Sequence, residues 1–174
     1  MARTYENGAP VASRPHIPGY GIPETEEGLL PWSHVTEQLT NAAHYWVDTT
    51  GPNGEPHATP IWGAFVDGTL YFEGGPGTRR GRNLAANPRV AVHLESGWSP
   101  VMVEGTAEEI KDPPPELANK LVESMAAKYE PYNYRPEPDQ WKEGGLYAVR
   151  PRVVFAWTEF SKDPTRFTFP PRPS

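Results

Sequence analysis

The 174-residue sequence contains no cysteine, which excludes disulfides and thiolate chemistry and fits a reducing, cytoplasmic setting. No apolar stretch is long enough to cross a bilayer, and the sequence opens without a charged-then-apolar leader, so no membrane role is expected. Excess positive charge is missing too. The formal net charge is −6, and binding a phosphate backbone needs a net basic face, so no nucleic-acid partner is expected. The spacings HExxH, GxSxG, GxxxxGK[ST] and strand–GxGxxG–helix are all absent, which weakens hydrolase and kinase-like readings. His44, His57 and His93 fall on separate predicted strands, so no metal site is expected. No residue stands out as a catalytic acid, base or nucleophile.

Proline, by contrast, is abundant, with 22 residues, and it is unevenly placed. Residues 1–31 mix glycine, proline and polar side chains without periodicity and read as an irregular arm packed on the body or on a partner subunit. Residues 32–160 carry the periodic segments of one domain. Residues 161–174 read as a tail, a short aromatic anchor followed by a frayed end. Within the body, Ser33 should cap a short helix with Val35 and Leu39 inward. Two strands should meet at Asp67-Gly68, a strong hairpin signal. Pro60 should lie at an edge or bulge, and the strand "VMVEGTAEEI" should bend at Gly105. Leu117, Leu121, Met125 and Tyr129 recur at helical spacing after a proline start. Short antiparallel strands with a few small helices predict a mainly β fold, most economically closed as a barrel.

The stretch "EGGPGTRRGRNLAANP", from Glu73, carries the chemistry. Gly74, Gly75 and Gly77 permit tight turns and close main-chain approach to a ligand. Thr78 can cap the following short helix and offer its hydroxyl. Arg79, Arg80 and Arg82 supply forked donors suited to phosphate oxygens, at a helix N-terminus that itself favours anions. An acidic chain that gathers arginines in one loop points to a small anionic ligand, the alternative being a solvated loop paired with surface carboxylates. Trp62, Phe65, Tyr71 and Phe72 precede the loop and Trp98 follows it. Most of these suit a barrel core, and Trp62, near Pro60, is the one set apart for a site wall that suits a flat heteroaromatic group.

The run "PHATPIWGAFVDGTLYFEGGPGTRRGRNLAANPRVAVHLES", with "VMVEGTAEEI", resembles the split β-barrel flavin and deazaflavin oxidoreductases, relatives of pyridoxamine 5′-phosphate oxidase. The order that carries the resemblance is H-x-T-P-x-W, a D-G hairpin, then G-T-x-x-x-R-N-L-x-x-N-P-x-V. The resemblance implies an antiparallel split barrel, FMN-binding-protein-like, that forms a homodimer with its cofactor sites at the interface. It implies that Thr59, Pro60, Ile61 and Trp62 lie along the cofactor ring, and that Thr78, Arg80, Arg82 and Asn83, with Arg79, grip its phosphate. The cofactor would be F420 or FMN, and an Ala-, Pro- and Arg-rich composition leans to F420. The implied reaction is hydride transfer to or from a small conjugated organic substrate. The alternative on the same fold is a non-catalytic flavin, deazaflavin or haem carrier. Pyridoxamine-phosphate oxidation itself is not expected, since a long C-terminal portion with substrate-phosphate arginines is not evident, Arg150 and Arg152 aside. The segment "KYEPYNYRPEPDQWKEGG" departs from the shorter family pattern. It reads either as a cover for the site that sets substrate choice or as a surface loop held down by its tyrosines.

Overall fold

A computed structural model describes residues 9–171; the first part of the arm and the last three residues of the tail lie outside them. The described residues form one nine-stranded sheet in which every pairing is antiparallel. The strands are β1 (Val11–Ser13), β2 (Tyr45–Thr50), β3 (Pro56–Ile61), β4 (Gly63–Val66), β5 (Thr69–Glu73), β6 (Arg89–His93), β7 (Val101–Ile110), β8 (Leu146–Ala156) and β9 (Thr165–Thr168). Three α-helices accompany them: α1 (Trp32–Asn41), α2 (Arg79–Ala86) and α3 (Pro115–Lys128).

The barrel closes because β3 and β4 are one strand interrupted at Trp62. β3 pairs with β2, while β4 pairs with β5. From β2 the ladder runs through β6 and β7 to β8, whose first residues pair back onto β5. The far half of β8 leaves this circuit and pairs with β9, which pairs with β1. The fold is thus a split β-barrel, as the sequence predicts. Asp67 and Gly68 turn β4 into β5 with φ of 49° and 74°, the doubly positive geometry of a tight hairpin turn. Pro60 is tolerated because β3 has a strand on one side only. The bend in β7 falls at Glu104/Gly105, where the register shifts. A Cβ on Gly105 would stand 1.9 Å from the Arg150 carbonyl oxygen, so only glycine lets β7 and β8 approach there.

Two apolar clusters follow from strand alternation. Inward residues Tyr45, Val47, Phe72, Val92, Val101, Val154 and Phe167 fill the barrel. Outward residues Ala64, Tyr71 and Ala148 are covered by Leu121, Val122 and Met125 of α3, with Tyr129 and Trp141 from the segment after it.

Three sequence expectations change in detail. α1 begins at Trp32 with Pro31 at its N-cap and no side-chain cap bond, so Ser33 sits inside the first turn. Edge-on packing of Trp32 against Phe167 and Phe169, with centroids at 5.2 and 5.3 Å, fixes the helix start instead. The arm, read as irregular, contributes β1 and is pinned by Arg14, which donates to the carbonyls of Thr25, Glu27 and Pro164. The tail contributes β9, whose Phe167 is fully buried, so the aromatic anchor is a strand of the sheet.

Candidate functional site

The arginine loop links β5 to α2 across the side of the barrel where β3 has no further strand partner. Thr78 is the N-cap of α2: its hydroxyl accepts from the Gly81 N–H at 3.0 Å and donates to the Gly75 carbonyl at 2.8 Å. The hydroxyl is therefore fully engaged in closing the turn. Gly81 is required there, since a Cβ would come within 2.6 Å of the Gly75 oxygen and 2.8 Å of the Pro76 oxygen.

The predicted phosphate residues separate into two groups. Arg82 folds back to donate to the Gly77 carbonyl. Asn83 is 3% exposed and donates its amide inward to the Thr49 hydroxyl at 3.0 Å, so it fastens α2 to β2. Arg79 and Arg80 remain. Arg79 is exposed and donates to Glu55 at 3.4 Å, a contact weak enough to exchange for a ligand. Arg80 lies half-buried across the Phe72 ring at 5.6 Å and donates through Nη2 to the Glu73 carbonyl at 3.0 Å. Its Nε is buried with no acceptor. Burial pulls the Arg80 pKa below the ordinary arginine range, the direction a desolvated cation takes. A guanidinium held in a glycine loop with an N–H left over fits an incoming phosphate group. Gly74 leaves the room for it, because a Cβ there would stand 2.7 Å from Arg80 Nη2.

The segment predicted to lie along the ring divides by alternation. Ile61 points into the core, and Thr59 shares a hydrogen bond with His57 at 3.0 Å. Pro60 and Trp62 take the outer face, with Pro60 exposed. Trp62 meets the aromatic segment after α3. Tyr129 stacks on it at 4.5 Å, while Tyr132 and Tyr134 approach at 5.2 and 5.3 Å.

Sequence reasoning missed two anchors of this segment. One is Glu73, the last residue of β5. Its carboxylate accepts from Tyr134, Gln140 and Trp141, the last at 2.8 Å. Next to it, the Gly74 N–H donates to the Gly145 carbonyl at 2.9 Å. The side-chain partners of Glu73 lie more than 60 residues away, so no local signal in the sequence pointed to it. The other anchor is the end of α3. The Tyr129 hydroxyl accepts from the Gly63 N–H at 2.8 Å, and Lys128 donates to the Tyr45 hydroxyl at 2.8 Å and to the Gly63 carbonyl at 3.3 Å. Burial lowers the Lys128 pKa to about 8 and pushes Tyr129 up to about 12. Tyr134 also rises to about 12, through burial and then its bond to Glu73. The segment is thus held down by its aromatics and also borders the arginine loop.

A separate groove of about 1350 Å³ runs over the outer face of β2, β6, β7 and β8, past Asp48, Arg89, Glu104 and Phe169. Two of its three arginines are matched by carboxylates: Arg150 to Glu108 at 3.2 Å and Arg152 to Glu104 at 2.6 Å. Among the described residues no cluster of three or more His, Asp or Glu could hold a metal ion, and no helix is long and apolar enough to cross a membrane.

Comparison with known proteins places this geometry. A conserved hypothetical protein of Mycobacterium tuberculosis superposes with a TM-score of 0.62 at 23% identity, over 76% of this chain and 88% of that one. A protein described as an F420 reductase gives 0.52 at 22% identity, over 75% and 98%. A haem-binding protein from Mycobacterium smegmatis gives 0.60 at 16% identity, over 81% and 59%. At these identities the likeness is one of fold. No curated protein matches the chain significantly. The family profile described as pyridoxamine 5′-phosphate oxidase matches residues 33–158, which takes in the barrel, the arginine loop and the aromatic segment. The chain belongs to the pyridoxamine 5′-phosphate oxidase family.

Proposed function

We propose that the protein is a cytoplasmic oxidoreductase that binds F420 or FMN and moves a hydride to or from a small conjugated organic substrate. The phosphate of the cofactor is held by Arg80 and Arg79, in a loop whose shape is kept by Thr78, Arg82 and Asn83. The ring lies along Thr59, Pro60, Ile61 and Trp62. A second copy of the chain, docked over the outer sheet face, completes each site. The observation that carries the reading is the buried Arg80 Nε without an acceptor, a donor that a phosphate oxygen would satisfy. Bound there, the cofactor supplies the hydride chemistry, while the chain supplies orientation and charge.

Similarity of fold to an F420 reductase supports F420 as a candidate alongside FMN. Parallel fluorescence titrations with the two cofactors test the reading: one of them binds, and affinity for neither removes it. The likeness to a haem-binding protein favours a second reading, a carrier without turnover. Cofactor binding with no reduction of any acceptor would select it.

A further inference from the structure

Trp62 touches three tyrosine rings, and the three differ in where their hydroxyl protons can go. Its indole lies parallel to Tyr129 with centroids at 4.5 Å, and it meets Tyr132 at 5.2 Å and Tyr134 at 5.3 Å. Rings at these separations are in contact. The arrangement bears on one-electron oxidation. The chain has no cysteine, so no thiolate is present to meet an oxidant first. An indole can lose an electron while it keeps its N–H proton. A phenol loses one readily only when its proton leaves at the same moment. Burial pushes the Tyr129 and Tyr134 hydroxyls up to about 12, so both are protonated at neutral pH.

The proton acceptors separate the three tyrosines. Tyr129 donates to the Ala43 and Gly63 carbonyls at 2.9 and 3.0 Å, and amide oxygens do not hold a proton near neutral pH. Tyr132 is 58% exposed, and among the described residues its hydroxyl has no partner, which leaves only water. Tyr134 donates to the Glu73 carboxylate, a base. Gln140 and the Trp141 indole N–H donate to the same carboxylate and hold it against Tyr134. Of the three phenols around this indole, one has its proton already aimed at a base.

We infer that Trp62 and Tyr134, with Glu73 as proton acceptor, form a relay that carries an oxidising equivalent off the indole and restores it. A one-electron oxidant of the peroxyl-radical class takes an electron from Trp62. The indole radical cation recovers an electron from Tyr134 across the ring contact, while the Tyr134 O–H bond breaks and its proton passes to Glu73. The products are the reduced oxidant, an intact indole, a neutral Tyr134 phenoxyl radical and a protonated Glu73. The relay uses only the chain's own residues, so it stands with or without a cofactor. Pulse radiolysis of the full chain with azide radicals, which oxidise indoles, tests it. In wild type the tryptophanyl absorbance decays as a tyrosyl absorbance grows, at a rate independent of protein concentration. Tyr134→Phe keeps the ring and the other two donors to Glu73, yet loses most of that growth. Trp62→Phe loses it as well, Glu73→Gln slows it, and Tyr132→Phe retains it. Urea midpoints establish that each variant is folded; if Glu73→Gln is not, Tyr134→Phe decides alone. No tyrosyl growth in wild type, wild-type growth in Tyr134→Phe, Trp62→Phe or folded Glu73→Gln, or growth lost in Tyr132→Phe each overturns the assignment.

Discussion

Replacing Arg80 by alanine removes the group on which the proposed anion site depends, and its consequences can be worked from the contacts. Without ligand, the guanidinium makes one hydrogen bond, to the neutral Glu73 carbonyl, and buries an Nε that makes none. A phosphate would satisfy the Nε and replace a neutral acceptor by a charged one. Charge-assisted bonds contribute roughly 1.5–3 kcal/mol, so the expected loss of phosphate or cofactor affinity is about 10- to 150-fold. Stability should respond less. The Glu73 bond and the packing on Phe72 together stabilise by about 1–2 kcal/mol, and removing a half-buried cation offsets part of that. Titrations with inorganic phosphate, FMN and F420, read by tryptophan quenching and paired with urea unfolding, separate the two effects. Wild-type affinity for every ligand in a folded Arg80→Ala protein would refute the placement of the anion.

Gly81→Ala should destabilise by about 1–3 kcal/mol, the cost of overpacking a rigid backbone contact, and should weaken phosphate binding. Gly77→Ala, where a Cβ meets nothing within 4 Å, should stay within about 0.5 kcal/mol in denaturant unfolding. Asn83→Ala should cost about 1–2 kcal/mol of stability by removing the donor to the buried Thr49 hydroxyl, which keeps only its long bond to the His57 carbonyl at 3.4 Å, read as a lower urea midpoint. Lys128 gives a pH signature. Its folded pKa of about 8 lies below the unfolded value, so the unfolded chain binds more protons above pH 8. The Lys128 contribution to stability should therefore rise from pH 7 to pH 9.5, before the tyrosines ionise, and Lys128→Met should remove that rise in urea melts.

Local chemistry carried most of what the sequence disclosed. The Asp67-Gly68 turn, the Thr78 cap and the inward Leu121 and Met125 each depend on residues a few positions apart, where steric and periodic rules act alone. Contacts between distant segments stayed hidden. Nothing near Glu73 in sequence signals that Tyr134, Gln140 and Trp141 will converge on its carboxylate, and nothing near Arg80 signals that it will fold back onto Phe72 rather than reach outward. The inward turn of Asn83 depends on Thr49 across the barrel. Trp141, in a stretch rich in proline and charge, is 1% exposed because its indole N–H finds Glu73, a partner that composition does not reveal.

The joint at Glu73 limits how far this protein's parts can be exchanged. One side chain anchors the stretch that carries Tyr134 and Trp141, while the backbone of the same residue steadies Arg80. Transplanting that stretch onto a related barrel without an acidic residue at the matching strand end would strand several donors at once. Variation in this segment should therefore fall on exposed positions such as Tyr132, leaving the buried joint untouched.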